Sequence, residues 1–199
     1  YGWASAMQQA TVQLGKLGVQ SIVNSMGVFV SAAFAAVNRI DDFAYMPQQN
    51  IAHAMTALMA QNKGAKKTDR IKAAFRCGMK IELFYGIFIF FVCFFLAHPL
   101  MQLFSNDPVV CKHGVTYLKL ISLMYLFPAV TNGVQGYFRG IGDLKITLIS
   151  SFVNMSVRVI FAAVLVFHFS LQIEALPFSY LAGWIGMLLA EVPLLLRKF

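Results

Sequence analysis

Five polar residues at spacings of three and four, Gln9, Gln13, Lys16, Gln20 and Asn24, interrupt an otherwise apolar stretch. On a helix advancing about 100° per residue they fall within roughly 80° of one another. Amides offer donors and acceptors together, so the stripe suits binding of polar or cationic molecules of varied shape rather than bond breaking. A second stretch repeats the pattern. Asn38, Asp42, Tyr45, Gln49 and Thr56 fall within about 60° on one face, and Asp41 lies at its edge. Arg39 precedes Asp42 by three residues, the spacing of an intrahelical ion pair. One reading is that Arg39 and one aspartate neutralise each other. The other is that Asp41 or Asp42 remains unpaired, as a site for a proton or another cation.

Other reactive residues show no catalytic arrangement. No His-x-Glu, Gly-x-Ser-x-Gly or phosphate-cradling glycine loop is present, and His53, His98, His113 and His168 are scattered. Cys77, Cys93 and Cys111 are odd in number and lack metal-ligand spacing. The expectation is a protein that is not an enzyme, with no metal and no cofactor beyond an ion.

The elements that carry the stripes are defined by hydrophobicity. Of 199 residues, 59% are hydrophobic and 12% charged, about half the charged share of an average soluble domain. A bilayer-spanning helix needs about 20 mostly apolar residues. Six such spans are predicted, at 3–24, 29–60, 71–97, 111–138, 144–168 and 174–196, and the second is long enough to tilt or to extend into water. Alternation of the barrel type is missing from Phe84–Phe91. The fold class is all-α, a polytopic membrane protein of six transmembrane helices.

In that setting the stripes gain force, because four amides and an ammonium cannot face acyl chains. They face either a neighbouring helix or an aqueous cavity. The opposite face of the first span carries Gly15 and Gly18, which permit close helix packing. Weaker stripes join Thr147, Ser150, Asn154 and Arg158 in the fifth span, and Tyr180, Trp184 and Glu191 in the sixth. Arg158 is deep enough to need a partner, whereas Glu191 is near an end and is expected to snorkel. Lys119, Tyr125, Asn132 and Gln135 scatter polarity along the fourth, and Pro128 should kink it.

The net charge of +8 is unevenly placed. Lys63, Lys66, Lys67, Arg70, Lys72 and Arg76 follow the second span, Arg139 and Lys145 flank the turn after the fourth, and Arg197 and Lys198 close the chain. The alternate connections carry none, with Lys112 just beyond one of them. This is the positive-inside pattern rather than a nucleic-acid surface. It predicts a multi-pass protein of the plasma or inner membrane with both ends cytoplasmic. Turns are expected at Asn24–Gly27, Asn62–Asp69 and Arg139–Asp143, with Thr68 or Asp69 capping the third helix and Asp143 the fifth. The chain begins at Tyr1 and enters an apolar helix at once, which reads as a piece of a longer protein.

Several segments occur in a familiar order: Gln8-Gln9, Gln20-x-x-x-Asn24-Ser-x-Gly27, Ala32-Ala-Phe-Ala-Ala-x-x-Arg-Ile-Asp41, Ala60-Gln-Asn-Lys-Gly-Ala65 with Asp69-Arg70, and Phe138-Arg-Gly-Ile-Gly-Asp143. Together they resemble the C-terminal lobe of multidrug and toxic compound extrusion (MATE) transporters, over essentially the whole chain. The resemblance implies a twelve-helix antiporter of two six-helix lobes, in which drug efflux is driven by inward H+ or Na+. Residues 1–199 would then be the C-terminal lobe. The implied partners are a drug-like small molecule, the lipid bilayer and an N-terminal lobe of the same polypeptide, with no nucleic acid. The Na+-coupled branch resembles itself in carboxylates on its seventh and tenth helices, and here the first and fourth spans have none. The implied coupling would rest on Asp41 or Asp42, or on the other lobe. The alternatives are a lipid-linked saccharide flippase of the same superfamily, which needs more cations in its cavity, and a non-transporting membrane scaffold, which needs no aligned amides.

Overall fold

The computed structural model describes residues 2–197, so Lys198 lies outside the described residues. The chain forms eight helices: α1 (Gly2–Ser25), α2 (Val28–Gly64), α3 (Thr68–Phe95), α4 (Ala97–Gln102), α5 (Pro108–Ser122), α6 (Leu126–Gly140), α7 (Leu144–Phe167) and α8 (Ala175–Leu196). The described residues contain no strand. Counting α5 and α6 as one bent segment and setting aside the short α4, the long segments number six, as the apolar runs predict.

The fourth predicted span is broken rather than merely kinked. Helices α5 and α6 meet at 52°, across residues 123–125, and Pro128 lies in the first turn of α6. A first-turn proline costs no hydrogen bond, because those N–H groups have no intrahelical partner. Helices α3, α7 and α8 are each long and apolar enough to cross a membrane, and the α5–α6 pair qualifies jointly. Helices α1 and α2 have the length, at 24 and 37 residues, but their polar stripes lower their apolarity. Phe84, Phe88, Phe91 and Phe95 of α3 and Phe152 and Ile160 of α7 lie exposed on the outside, the surface an acyl environment would cover.

Two cores hold the bundle. One joins Val19 and Val23 of α1, Phe34, Val37 and Ile40 of α2, and Tyr117, Leu118 and Ile121 of α5. The other, toward the turns at 65–67 and 141–143, joins Met55 and Met59 to Ile71, Val134, Tyr137 and Phe138. The turns fall where expected. Gly27 at φ +103° and Gly142 at φ +77° adopt backbone conformations that a side chain would strain. The capping expectation at α3 is corrected: Thr68 is its first residue and Asp69 lies in its first turn, while Lys67 holds the cap position without a side-chain bond. The Lys67 N–H still closes α2 by donating to Asn62 O, so the turn runs straight into α3. Asp143 does hold the cap position of α7, also without a side-chain cap bond. The cap of α5 is Asp107, which accepts from Val109 N at 2.8 Å and Val110 N at 3.3 Å.

Candidate functional site

Helix α1 packs its glycine face on α7. A Cβ added at Gly15 would lie 2.5 Å from Met155 Sδ, and one at Gly18 would lie 3.1 Å from Val159 Cγ2. That contact turns the opposite, polar face inward to a cleft of about 700 Å3. Gln9, Gln13, Lys16 and Gln20 line it, with Asn38, Asp41, Asp42, Tyr45 and Gln49 of α2. Asn24 does not line it, but accepts from Gln20 Nε2 at 2.8 Å. Gln9, Gln13 and Lys16 are exposed. Four of the five residues of this stripe thus border the cleft. Thr56 leaves its stripe, donating to Ala52 O at 2.8 Å and to Gly136 O at 3.1 Å, and so ties α2 to α6.

The two aspartates part company. Asp42 is exposed, and Asp41 retains 4% of its surface. Tyr125, in the break between α5 and α6, donates its hydroxyl to Asp41 Oδ1 at 2.5 Å. The Tyr125 ring meets Tyr45 edge-on, with centroids 5.4 Å apart. The expected pairing with Arg39 is not found: Arg39 and Asp42 are both exposed, and no ion pair joins Arg39 to either aspartate among the described residues. Where water solvates both groups, the gain from pairing is too small to hold two side chains together.

The remaining wall comes from α6, α7 and α8. Arg158 is buried with its guanidinium carbon 3.8 Å from the Tyr180 ring centroid and 5.7 Å from that of Trp184. The partner it was expected to need is supplied by this aromatic pair. Lower in the cleft, Ser151 Oγ accepts from Gln8 Nε2 at 2.8 Å and from Gln135 Nε2 at 3.2 Å. Arg139 donates to Gln135 Oε1 at 3.0 Å. Glu191 does not snorkel. It is 0% exposed and accepts from Ser150 Oγ at 2.5 Å, because α7 and α8 close over it. Sequence reasoning gave no site role to Gln8, Tyr125, Gln135, Arg139 or Ser151. Only the i, i+4 spacing of Gln135 and Arg139 signalled a pair.

Fold and site together define an apolar helical bundle of the membrane-protein type that encloses a polar cleft. The chain belongs to the MatE family, whose family model matches residues 4–164. It is 24% identical over 188 residues to the probable multidrug resistance protein NorM of Thermotoga maritima, covering 94% of this chain and 39% of that protein. It is 26% identical over 186 residues to the probable multidrug resistance protein YoeA of Bacillus subtilis, again spanning 39% of the relative. The chain thus spans about two fifths of the length of these relatives. Among solved structures, a MATE protein in complex with MaL6 superposes with a TM-score of 0.91 at 17% identity, over 99% of this chain and 45% of that one. A MOP superfamily transporter from Pyrococcus furiosus, reported to have a binding pocket of reversed polarity, superposes with a TM-score of 0.91 at 17% identity, over 98% of this chain and 45% of that one.

Proposed function

We propose that this chain is the C-terminal lobe of a secondary antiporter that exports cationic or amphipathic drugs in exchange for H+ or Na+, with both ends of the lobe in the cytoplasm. The observation that carries the reading is the cleft, where amides of α1 stand exposed opposite two aspartates of α2. Gln9, Gln13, Gln20 and Asn38 offer donors and acceptors to substrates of different shape, while Asp41 and Asp42 supply the only carboxylates among the lining residues. In this reading Asp41 is the stronger coupling group, because it is the one withdrawn from water and held by a single hydroxyl. The test uses the full-length protein in proteoliposomes, with a fluorescent cationic dye and an imposed ion gradient. Asp41→Asn should still bind the dye and lose most ion-driven efflux. Full efflux by both Asp41→Asn and Asp42→Asn would remove coupling from this lobe.

One observation favours a second reading. The cleft is also lined by Lys16, Arg139 and Arg158, three cations against two carboxylates. That balance fits an anionic substrate, including the pyrophosphate of a lipid-linked saccharide. A relative from Shewanella oneidensis, 26% identical over 121 residues, is named an FAD transporter. Competition of the dye by pyrophosphate compounds, and loss of that competition in Lys16→Gln, would favour it.

A further inference from the structure

Three of the eight carboxylates are buried among the described residues: Asp41, Glu82 and Glu191. Asp41 accepts from Tyr125, and Glu191 from Ser150. Glu82, in the middle of α3, is 0% exposed, and neither carboxylate oxygen has a hydrogen-bond partner. Gln48 of α2 shares this condition, being 0% exposed with both amide atoms unpartnered. Neither residue lines the cleft.

The two occupy one level of the bundle. Helices α2 and α3 run antiparallel, with Gly78 against Met55 and the Tyr85 hydroxyl donating to Ala44 O at 3.1 Å. Glu82 falls between the α3 members of these contacts, and Gln48 falls between the α2 members. On the third side, Gly133 of α6 faces Met79, and Ala129 faces Gly86. Helix α6 therefore presents residues 130–132 at this level, among them the buried Thr131, which also lines the cleft. One carboxyl, one amide and one hydroxyl, each from a different helix, thus share a level of the bundle behind the cleft wall, the Thr131 hydroxyl donating to Pro128 O at 3.2 Å and keeping its oxygen lone pairs for another partner.

A bare carboxylate in such a place costs many kcal/mol unless something positive neutralises it. Among the described residues no basic side chain does so. On α2 the nearest ionisable groups are Asp42, Tyr45 and His53, all at the cleft with Asp41, and none of them is a strong base. On α6 the nearest is Arg139, engaged with Gln135, and on α5 it is Lys119, which lies against Phe94. On α3 itself Lys80 is exposed. We propose that Glu82, with Gln48 and Thr131, binds one monovalent cation, H+ or Na+, inside the lobe, behind the cleft wall to which Thr131 belongs. The donor set is all oxygen, which suits a hard cation. A proton would sit on the carboxyl, with the Gln48 amide able to accept from it. Access follows from the helices. Pro47 deprives α2 of a hydrogen bond next to Gln48, and the break at 123–125 lies just ahead of this level of α6.

The test is thermal unfolding of the purified full-length protein in NaCl or choline chloride of equal ionic strength, across a pH series. A cation that binds only the folded state stabilises it by mass action. Wild type should therefore show either a Tm several degrees higher in Na+ or a Tm that climbs as pH falls whatever the salt, and the salt arm tells the two cations apart. Asp41→Asn, which removes the coupling carboxylate of the cleft, should keep the share of the response that Glu82 supplies, and Asp41→Asn with Glu82→Gln in the same chain should lose the response. Should Glu82→Gln fail to fold, Glu82→Asp carries the test, with a displaced half-saturating concentration or midpoint pH. The inference is overturned by a wild type insensitive to both cations, by a Glu82→Gln protein that responds like wild type, or by an unchanged midpoint in Glu82→Asp. No efflux is measured, so this site and the transport reading can fail separately.

Discussion

Asp41 and Asp42 are adjacent in the chain yet have different surroundings, and the difference comes from one tyrosine. Tyr125 reaches Asp41 from the break in the fourth span and donates the only side-chain hydrogen bond that Asp41 receives among the described residues. Tyr125→Phe should destabilise the folded protein by about 2 kcal/mol, the usual worth of a hydrogen bond to a charged group, as read by thermal or denaturant unfolding. Asp42→Asn should leave stability unchanged, because its side chain is exposed and unpaired with Arg39. An Asp42→Asn protein as destabilised as Tyr125→Phe would restore an Arg39 pair that the structure does not contain. Substituting Gln9, Gln13 and Gln20 by Ala should alter the rank order of substrates more than the folding, since among the described residues none of the three bonds to another helix. Dye-binding affinities over a set of cationic compounds would measure this.

At the scale of the element, α1 owes its place to small residues rather than to its polar stripe. Gly15 lies so close to Met155 that Gly15→Leu must push α7 away or shift the methionine. Overpacking of that kind costs about 1–3 kcal/mol. The expected outcome is a lower Tm together with weaker substrate binding, because the stripe is aimed by that contact. Restoration by Met155→Ala in the same chain would show that the loss is steric. The fourth span is the other informative element. Its 15-residue halves differ in partners: α5 packs into the core with Phe34 and Val37, and α6 into the core with Met55 and Met59. A straight helix could not serve both, and the break that reconciles them is also what delivers Tyr125 to Asp41.

At the scale of the molecule, the turns at 65–67 and 141–143 lie at one end, and those at 26–27 and near 107 at the other. In a full-length protein free of native cysteines, Lys66→Cys and Gly142→Cys should be labelled by a membrane-impermeant thiol reagent only from the cytoplasmic side. Asn106→Cys should be labelled only from outside. Labelling of Lys66→Cys from outside would reverse the orientation and, with it, the side from which the cleft is described.

The six segments, their turns and the two polar stripes were legible in the sequence because all of them rest on local physics. Apolar length, helical period and the conformational needs of Gly27 and Gly142 are properties of neighbours along the chain. So is the alignment of Gln9, Gln13, Lys16 and Gln20, which any straight helix produces. What local pattern could not decide was which face meets which helix. Asp41 stood only at the edge of its stripe, and its burial depends on Tyr125, 84 positions away. Glu191 seemed free to snorkel until α7 closed over it with Ser150. Glu82 and Gln48 carry no signal of their own in the sequence, since a single polar residue on a span has no period to reveal it. Their shared level is set by α2, α3 and α6 crossing at glycines and methionines. Helical period determines the direction in which each side chain leaves its own axis; only the packing of the axes determines what it finds there.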